Sequence, residues 1–136
     1  MRLDDEFIAS WNAADVDRTV AIMAPNGVWR DINSPQPMDI SGARAYAKAW
    51  YVAFPDLKAT VRRRIVTADE VATEVEFTAT NTGPLQMGPG PAIPATGKTV
   101  HGQGAYFLRV ANGKVVEIST HPDVAGMMMQ MGLMGG

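Results

Sequence analysis

Residues 98–121 read KTVHGQGAYFLRVANGKVVEISTH, and this stretch decides the fold. Asn112-Gly113 is the dipeptide a tight hairpin turn needs, because both central positions of such a turn take a positive φ. The flanking runs, Lys98–Val110 and Lys114–His121, read as two antiparallel strands joined at Ala111-Asn112-Gly113. Working backwards, Val71, Thr73, Val75 and Phe77 alternate with Ala72, Glu74 and Glu76, giving a strand with one dry and one wet face. Leu57–Ala68 is a further strand, and the two meet at a turn near Asp69-Glu70.

Upstream of this meander the period is 3.6. Leu3, Phe7, Ile8, Trp11 and Ala14 form a helical stripe, with Asp4, Asp5 and Glu6 near its positive end. Asp15 caps a second helix with Val16, Val20 and Met23 inward, and Pro25-Asn26-Gly27 ends it. Val28–Ile32 is a short strand before a proline-rich crossing loop. Ser41 caps a third helix that places Ala43, Ala47, Trp50 and Phe54 on one face, and Pro55 stops it. Residues 82–96, with four prolines and three glycines, form a loop; loops this long cover a pocket or enter an interface. Asp123 caps a last short helix running to about Met131. This order gives an α+β fold, helices packed on one face of a bent, mostly antiparallel sheet, as one domain over residues 1–134 with a tail at 135–136.

The 136 residues are 46% hydrophobic and 19% charged with a net charge of −2, so electrostatics make no case for nucleic acid or an anionic membrane. Cysteine is absent, which removes disulfides and thiolate metal sites. The acidic start MRLDDEFIASW is unlike a signal peptide, and no apolar run approaches the roughly 18 residues of a span. A cytoplasmic protein is expected. No His-x-x-x-His or His-Glu-x-x-His spacing occurs, so no metal is expected either. Gly88-Pro89-Gly90-Pro91 reads as a turn-rich loop, not a phosphate cradle. Met127, Met128, Met129 and Met131, with Met134 just beyond, suggest an adaptable packing surface.

Four segments together resemble the SnoaL-like polyketide cyclases and their ester cyclase relatives, in the nuclear-transport-factor-2-like superfamily. They are Trp11-Asn12-Ala13-Ala14-Asp15-Val16-Asp17, Phe54-Pro55-Asp56-Leu57, Gly113-Lys114-Val115-Val116-Glu117 and Asp123-Val124-Ala125-Gly126-Met127-Met128-Met129-Gln130-Met131-Gly132. The resemblance implies a cone-shaped α+β barrel with an apolar pocket for a small hydrophobic substrate. It also implies a homodimer pairing sheet to sheet, and an intramolecular aldol closure that needs no cofactor.

Strand parity then assigns side chains to that pocket. His101, Gln103, Ala105 and Phe107 share a face, and with Phe107 in the core His101 and Gln103 point into the cavity. Glu117, Ser119 and His121 share a face of the next strand, and Asp123 follows, so His101, Gln103, His121 and Asp123 gather at one end of the cone. On the resemblance, Asp123 is the acid/base, His101 and Gln103 bind the enolate oxygen, and His121 is an alternative base. Trp11, Trp29, Asp31, Trp50, Phe54 and Phe107 are the candidate substrate contacts.

Plainer readings stand beside these. Asp123 also reads as a simple helix cap, His101 as a satisfied core histidine, His121 as a strand-end residue, and Asp31 as an exposed turn aspartate. Arg62, Arg63 and Arg64 read as an outer stripe. Two other functions stay open: an epoxide hydrolase or isomerase on the same fold, which needs an Asp-Arg-Asp set around a water, and a noncatalytic ligand-binding or dimerisation module.

Overall fold

The turn at Asn112-Gly113 forms as its residues demand, with φ of 53° and 75° at the two positions. The computed structural model describes residues 2–86 and 90–133. In chain order the elements are α1 (Arg2–Asn12), α2 (Val16–Ala21), β1 (Met23–Asp31), α3 (Ile40–Ala53), β2 (Lys58–Val66), β3 (Glu70–Thr80), β4 (Thr99–Ala111), β5 (Lys114–Pro122) and α4 (Val124–Gln130). The strands form one open curved sheet in the order β1-β5-β4-β3-β2. β1 runs parallel to β5 and every other pair is antiparallel. The expected tail 135–136, Met134, and Gly88-Pro89 of the expected turn lie outside the described residues. Among the described residues no helix is long and apolar enough to cross a membrane.

The helices cover one face of the sheet and build a core in two parts. One gathers Phe7 of α1, Trp29, Val71, Leu108 and Ile118; the other gathers Phe54, Phe77, Val100, Met127 and Met131. Asp15 caps α2 and Asp123 caps α4, each accepting a backbone N–H from three residues on. The α3 cap is Asp39, which accepts from Gly42 N at 2.8 Å, two residues earlier than Ser41. Pro25-Asn26-Gly27 does not end α2. It lies inside β1, where the pairing with β5 shifts register between Met23 and Val28, so the proline sits in an irregular edge strand.

The face of β4 is the reverse of the expected one. Val100, Gly102, Tyr106 and Leu108 are buried, and His101, Gln103 and Phe107 point outward. Both parities of this strand carry apolar residues, and the buried one is disguised by glycine, which has no side chain to count. Gly102 is there because the Phe77 ring lies on its Cα; a Cβ would come within 2.2 to 2.8 Å of three ring atoms. Arg64 is a second reversal. The β2–β3 register skips a residue between Val61 and Arg63, which sends Arg63 out and Arg64 in, so the three arginines are not one outer stripe.

Beyond Gly104, β4 outruns β5, and α4 covers the bare backbone. The Gln130 side-chain amide donates to His101 O at 2.8 Å and accepts from His101 N at 2.7 Å, while Asp123 N donates to Gln103 O at 3.0 Å. Asn81, fully buried, clasps the 82–96 loop. Its amide donates to Ala53 O and Gly83 O, and its oxygen accepts from Thr96 N and Oγ1.

Gly102→Ala is expected to lose about 1–3 kcal/mol by overpacking, seen as a drop in Tm of roughly 3–10 °C. Adding Phe77→Leu should return part of that loss in the double variant. A second expectation concerns the three tyrosines, Tyr46, Tyr51 and Tyr106. Burial, the largest cause in each, lifts Tyr51 to about 12 and raises Tyr46 and Tyr106 further, helped by a neighbouring carboxylate. The fold therefore holds these phenol protons that the unfolded chain releases, so stability is full below about pH 10 and falls as pH rises above it. Tyrosinate absorbance should stay flat near pH 10 and then appear in one step together with loss of the circular dichroism signal.

Candidate active site

Five side chains in register form a polar row across the helix-covered face: Arg64 on β2, Thr73 on β3, Tyr106 on β4, Thr120 on β5 and Asp31 on β1. Buried polar groups must find partners, and here each end of the row gets one from a helix. From α1, Asp4 is fully buried and accepts from Tyr106 OH and from Thr73 Oγ1 at 2.9 Å. Arg64 neutralises it, pairing with Asp4 and, at 3.0 Å, with Asp5.

The other end has a different charge balance. Asp31, 6% exposed, accepts from Tyr46 OH of α3 at 2.5 Å, Thr120 Oγ1 at 2.7 Å and Asn33 N at 2.8 Å. These partners are all uncharged. Trp29 donates its indole N–H to Thr120 Oγ1 at 3.0 Å, and the Trp50 ring packs edge-on against Tyr46 with centroids 6.4 Å apart. Burial and the adjacent carboxylate hold the Tyr46 phenol well above its ordinary range, so it stays a proton donor.

Two chambers adjoin this end. The inner one, of about 90 Å³, lies between α1, α3 and the sheet, lined by Phe7, Trp11, Leu57, Val75, Phe77 and Tyr106 and closed on one side by the chain at Thr120–Pro122. The mouth chamber, of about 320 Å³, has Asp31, Asn33 and Ser34 on one side and Leu85 with Met127, Met128 and Met131 on another. Tyr46 and Trp50, one turn apart on α3, line both.

Of the sequence-derived residues, Asp31, Trp50 and Phe54 line the mouth chamber, and Trp11, Trp50 and His121 the inner one. Asp31 is not an exposed turn aspartate. Trp29 is fully buried behind the site and acts on it through Thr120. Phe107 is 44% exposed on the outer face, where its ring meets His121 edge-on at 5.8 Å. His101 and Gln103 line a groove of about 400 Å³ on that same outer face, with Lys58, Thr60 and Glu76. Asp123 is exposed and bound to its cap hydrogen bond, Gly126 N to Oδ1 at 2.9 Å. Gln103 and Asp123 do meet, but through backbone atoms, while His101 is held by Gln130; the side chains of His101, Gln103 and Asp123 line neither chamber.

Arg64 pairs with buried Asp4 and with Asp5, but the Asp5 side chain is 63% exposed, so this trio is not the inward Asp-Arg-Asp set an epoxide hydrolase needs. None of the three lines either chamber. The side chains that sequence reading passed over are Tyr46, Thr120, Tyr106 and Asp4. Tyr46 lies one turn before Trp50 on the stripe of Ala43 and Ala47, a position that could have marked it.

Residues 2–131 match the family of SnoaL-like polyketide cyclases. Among curated proteins none matches the sequence. Solved structures show the fold. AclR from Streptomyces galilaeus, a proposed hydroxylase, superposes with a TM-score of 0.83 at 24% identity, covering 99% of this chain and 85% of its own. IdmH from Streptomyces antibioticus, a proposed polyketide cyclase, gives 0.78 at 24% identity over 96% of each chain. A ketosteroid isomerase-like protein from Catenulispora acidiphila, solved with trimethylamine, gives 0.77 at 13% identity over 97% of this chain and 93% of that one. With a family match across nearly its whole length, on a fold shared with these structures, the chain belongs to the SnoaL-like polyketide cyclases.

Proposed function

We propose that the protein is a cofactor-independent cyclase acting on an apolar polyketide-like carbonyl compound, with Asp31 as acid/base and Tyr46 as the hydrogen-bond donor to the enolate oxygen. The observation that carries this reading is the Asp31–Tyr46 hydrogen bond at the junction of the two chambers. Asp31 removes a proton from the carbon next to a substrate carbonyl. Once protonated, its carboxyl no longer attracts the Tyr46 hydrogen, which turns to the enolate oxygen, so proton removal and enolate stabilisation are coupled. The enolate carbon bonds to a second carbonyl carbon of the same molecule, and Asp31 returns its proton to the alkoxide so formed. Atoms balance without a cofactor. Asp123, His101, Gln103 and His121 are not given chemical roles in this scheme.

A homodimer pairing sheet to sheet, as the family resemblance implies, would use the outer face, where Phe107 and Ile65 stand exposed.

The test uses 2-tetralone, an apolar bicyclic ketone, and follows deuterium uptake from solvent at its α-carbon. Asp31→Asn with the fold intact should slow catalysed exchange by about 100-fold or more, and Tyr46→Phe by about 10- to 100-fold. Asp123→Asn should stay within about twofold. Unchanged exchange in Asp31→Asn, or its loss in Asp123→Asn with the fold intact, would return the acid/base role to the helix cap.

A further inference from the structure

Tyr46 and Trp50 of α3 line both chambers and so form the wall between them on that side, with Trp50 the larger of the two side chains. Trp50 lines both spaces, contacts Trp11 on the inner side with ring centroids 6.3 Å apart, and contacts Phe54 on the mouth side at 5.6 Å. The Tyr46 ring, 6.4 Å away, completes the wall and is fixed by Asp31. The two spaces differ in chemistry. The inner one is walled almost wholly by carbon, whereas the mouth offers Asp31, Asn33, Ser34 and Gln86 opposite adaptable methionines.

We infer that Trp50 is a specificity-determining residue, and that the ligand lies across the wall with an apolar end in the inner chamber and its oxygenated end in the mouth. This rests on the reading of the chambers as the substrate site. An oxygen-bearing end placed in the inner chamber would meet carbon nearly everywhere, with the unpartnered Trp11 indole N–H as a single donor, whereas an apolar end gains by burial along the whole wall. The size of the apolar end is then set by how far Trp50 lets it reach.

The probes are straight-chain 2-alkanones of increasing length, with affinity read by titration calorimetry on the whole protein. In the unaltered protein Kd should fall by about threefold to fourfold per added methylene until the inner chamber is full, then stop falling. Trp50→Leu should move that break to longer chains. Trp50→Phe should move it less, and it keeps the test valid if the leucine variant does not fold. A break at the same length in unaltered protein and in every folded variant overturns the inference, as does a Kd without chain-length dependence. Asp31→Asn separates this from the catalytic reading: it should abolish exchange on 2-tetralone yet leave the break in place. If exchange is lost in Asp31→Asn while the Trp50 variants show no moved break, the acid/base reading stands and the wall inference fails.

Discussion

The polar row Arg64–Thr73–Tyr106–Thr120–Asp31 is the constraint on which the rest of the molecule turns. A sheet face that packs on helices has to be dry, and five polar side chains in one register row break that rule. Each hydroxyl or carboxyl left without a partner would cost about 1–3 kcal/mol. The row is satisfied because α1 brings Asp4 to one end and α3 brings Tyr46 to the other. The same bonds set where the two helices sit. Since α1 and α3 are each pinned to the sheet at separate points, the aromatic side chains between them meet edge to face, as Trp11 does with Trp50, and leave the inner chamber unfilled.

The two carboxylates of the row are chemically unlike for a simple reason. Asp4 has Arg64 beside it, so its charge is balanced within the fold and its hydrogen bonds brace α1 against β3 and β4. Asp31 has only neutral donors, Tyr46, Thr120 and the Asn33 amide, and it borders open space. A buried ion pair holds structure in place and is costly to disturb. Asp31 has no cation to leave unpaired when it takes up a proton; the bond it gives up is the one from Tyr46.

The fold was legible wherever a residue's type forces a backbone choice. Asn112-Gly113 names its turn, Asp15 and Asp123 cap helices, and the Glu74/Val75 type of alternation in β3 marks its dry side. Legibility failed where the signal depends on a missing side chain or on register. Gly102 and Gly104 on the buried side of β4 add nothing to an apolar count, so Phe107 drew the core to the wrong side and carried His101 and Gln103 with it. A single skipped residue in β2 turned Arg64 inward, and no local pattern announces such a bulge. Within the site, Asp31 and Trp50 were visible as types, but their meeting was not. It needs the parallel pairing of β1 with β5, which brings Asp31 beside Thr120 from 89 residues away.

That long-range pairing also explains why a family frame does not by itself fix which side chains do the chemistry. The frame dictates the strand order and the open end between α3 and α4, and a ligand-sized space follows from it. Which acid faces that space depends on parity at single positions, and parity is the property one bulge or one glycine can invert. In this chain the carboxylate at the helix cap, Asp123, holds Gly126 N with one oxygen and stands in solvent, where a proton taken from a carbon acid would be shared with water. Asp31 lies on the parallel strand, with water excluded on the sheet side and a phenol hydrogen in reach. An enolate forming beside an ionised carboxylate would be repelled by it, so only a group that neutralises itself in the same step can serve there. Asp31 does so by accepting the proton, and Tyr46 is released to follow the charge to oxygen.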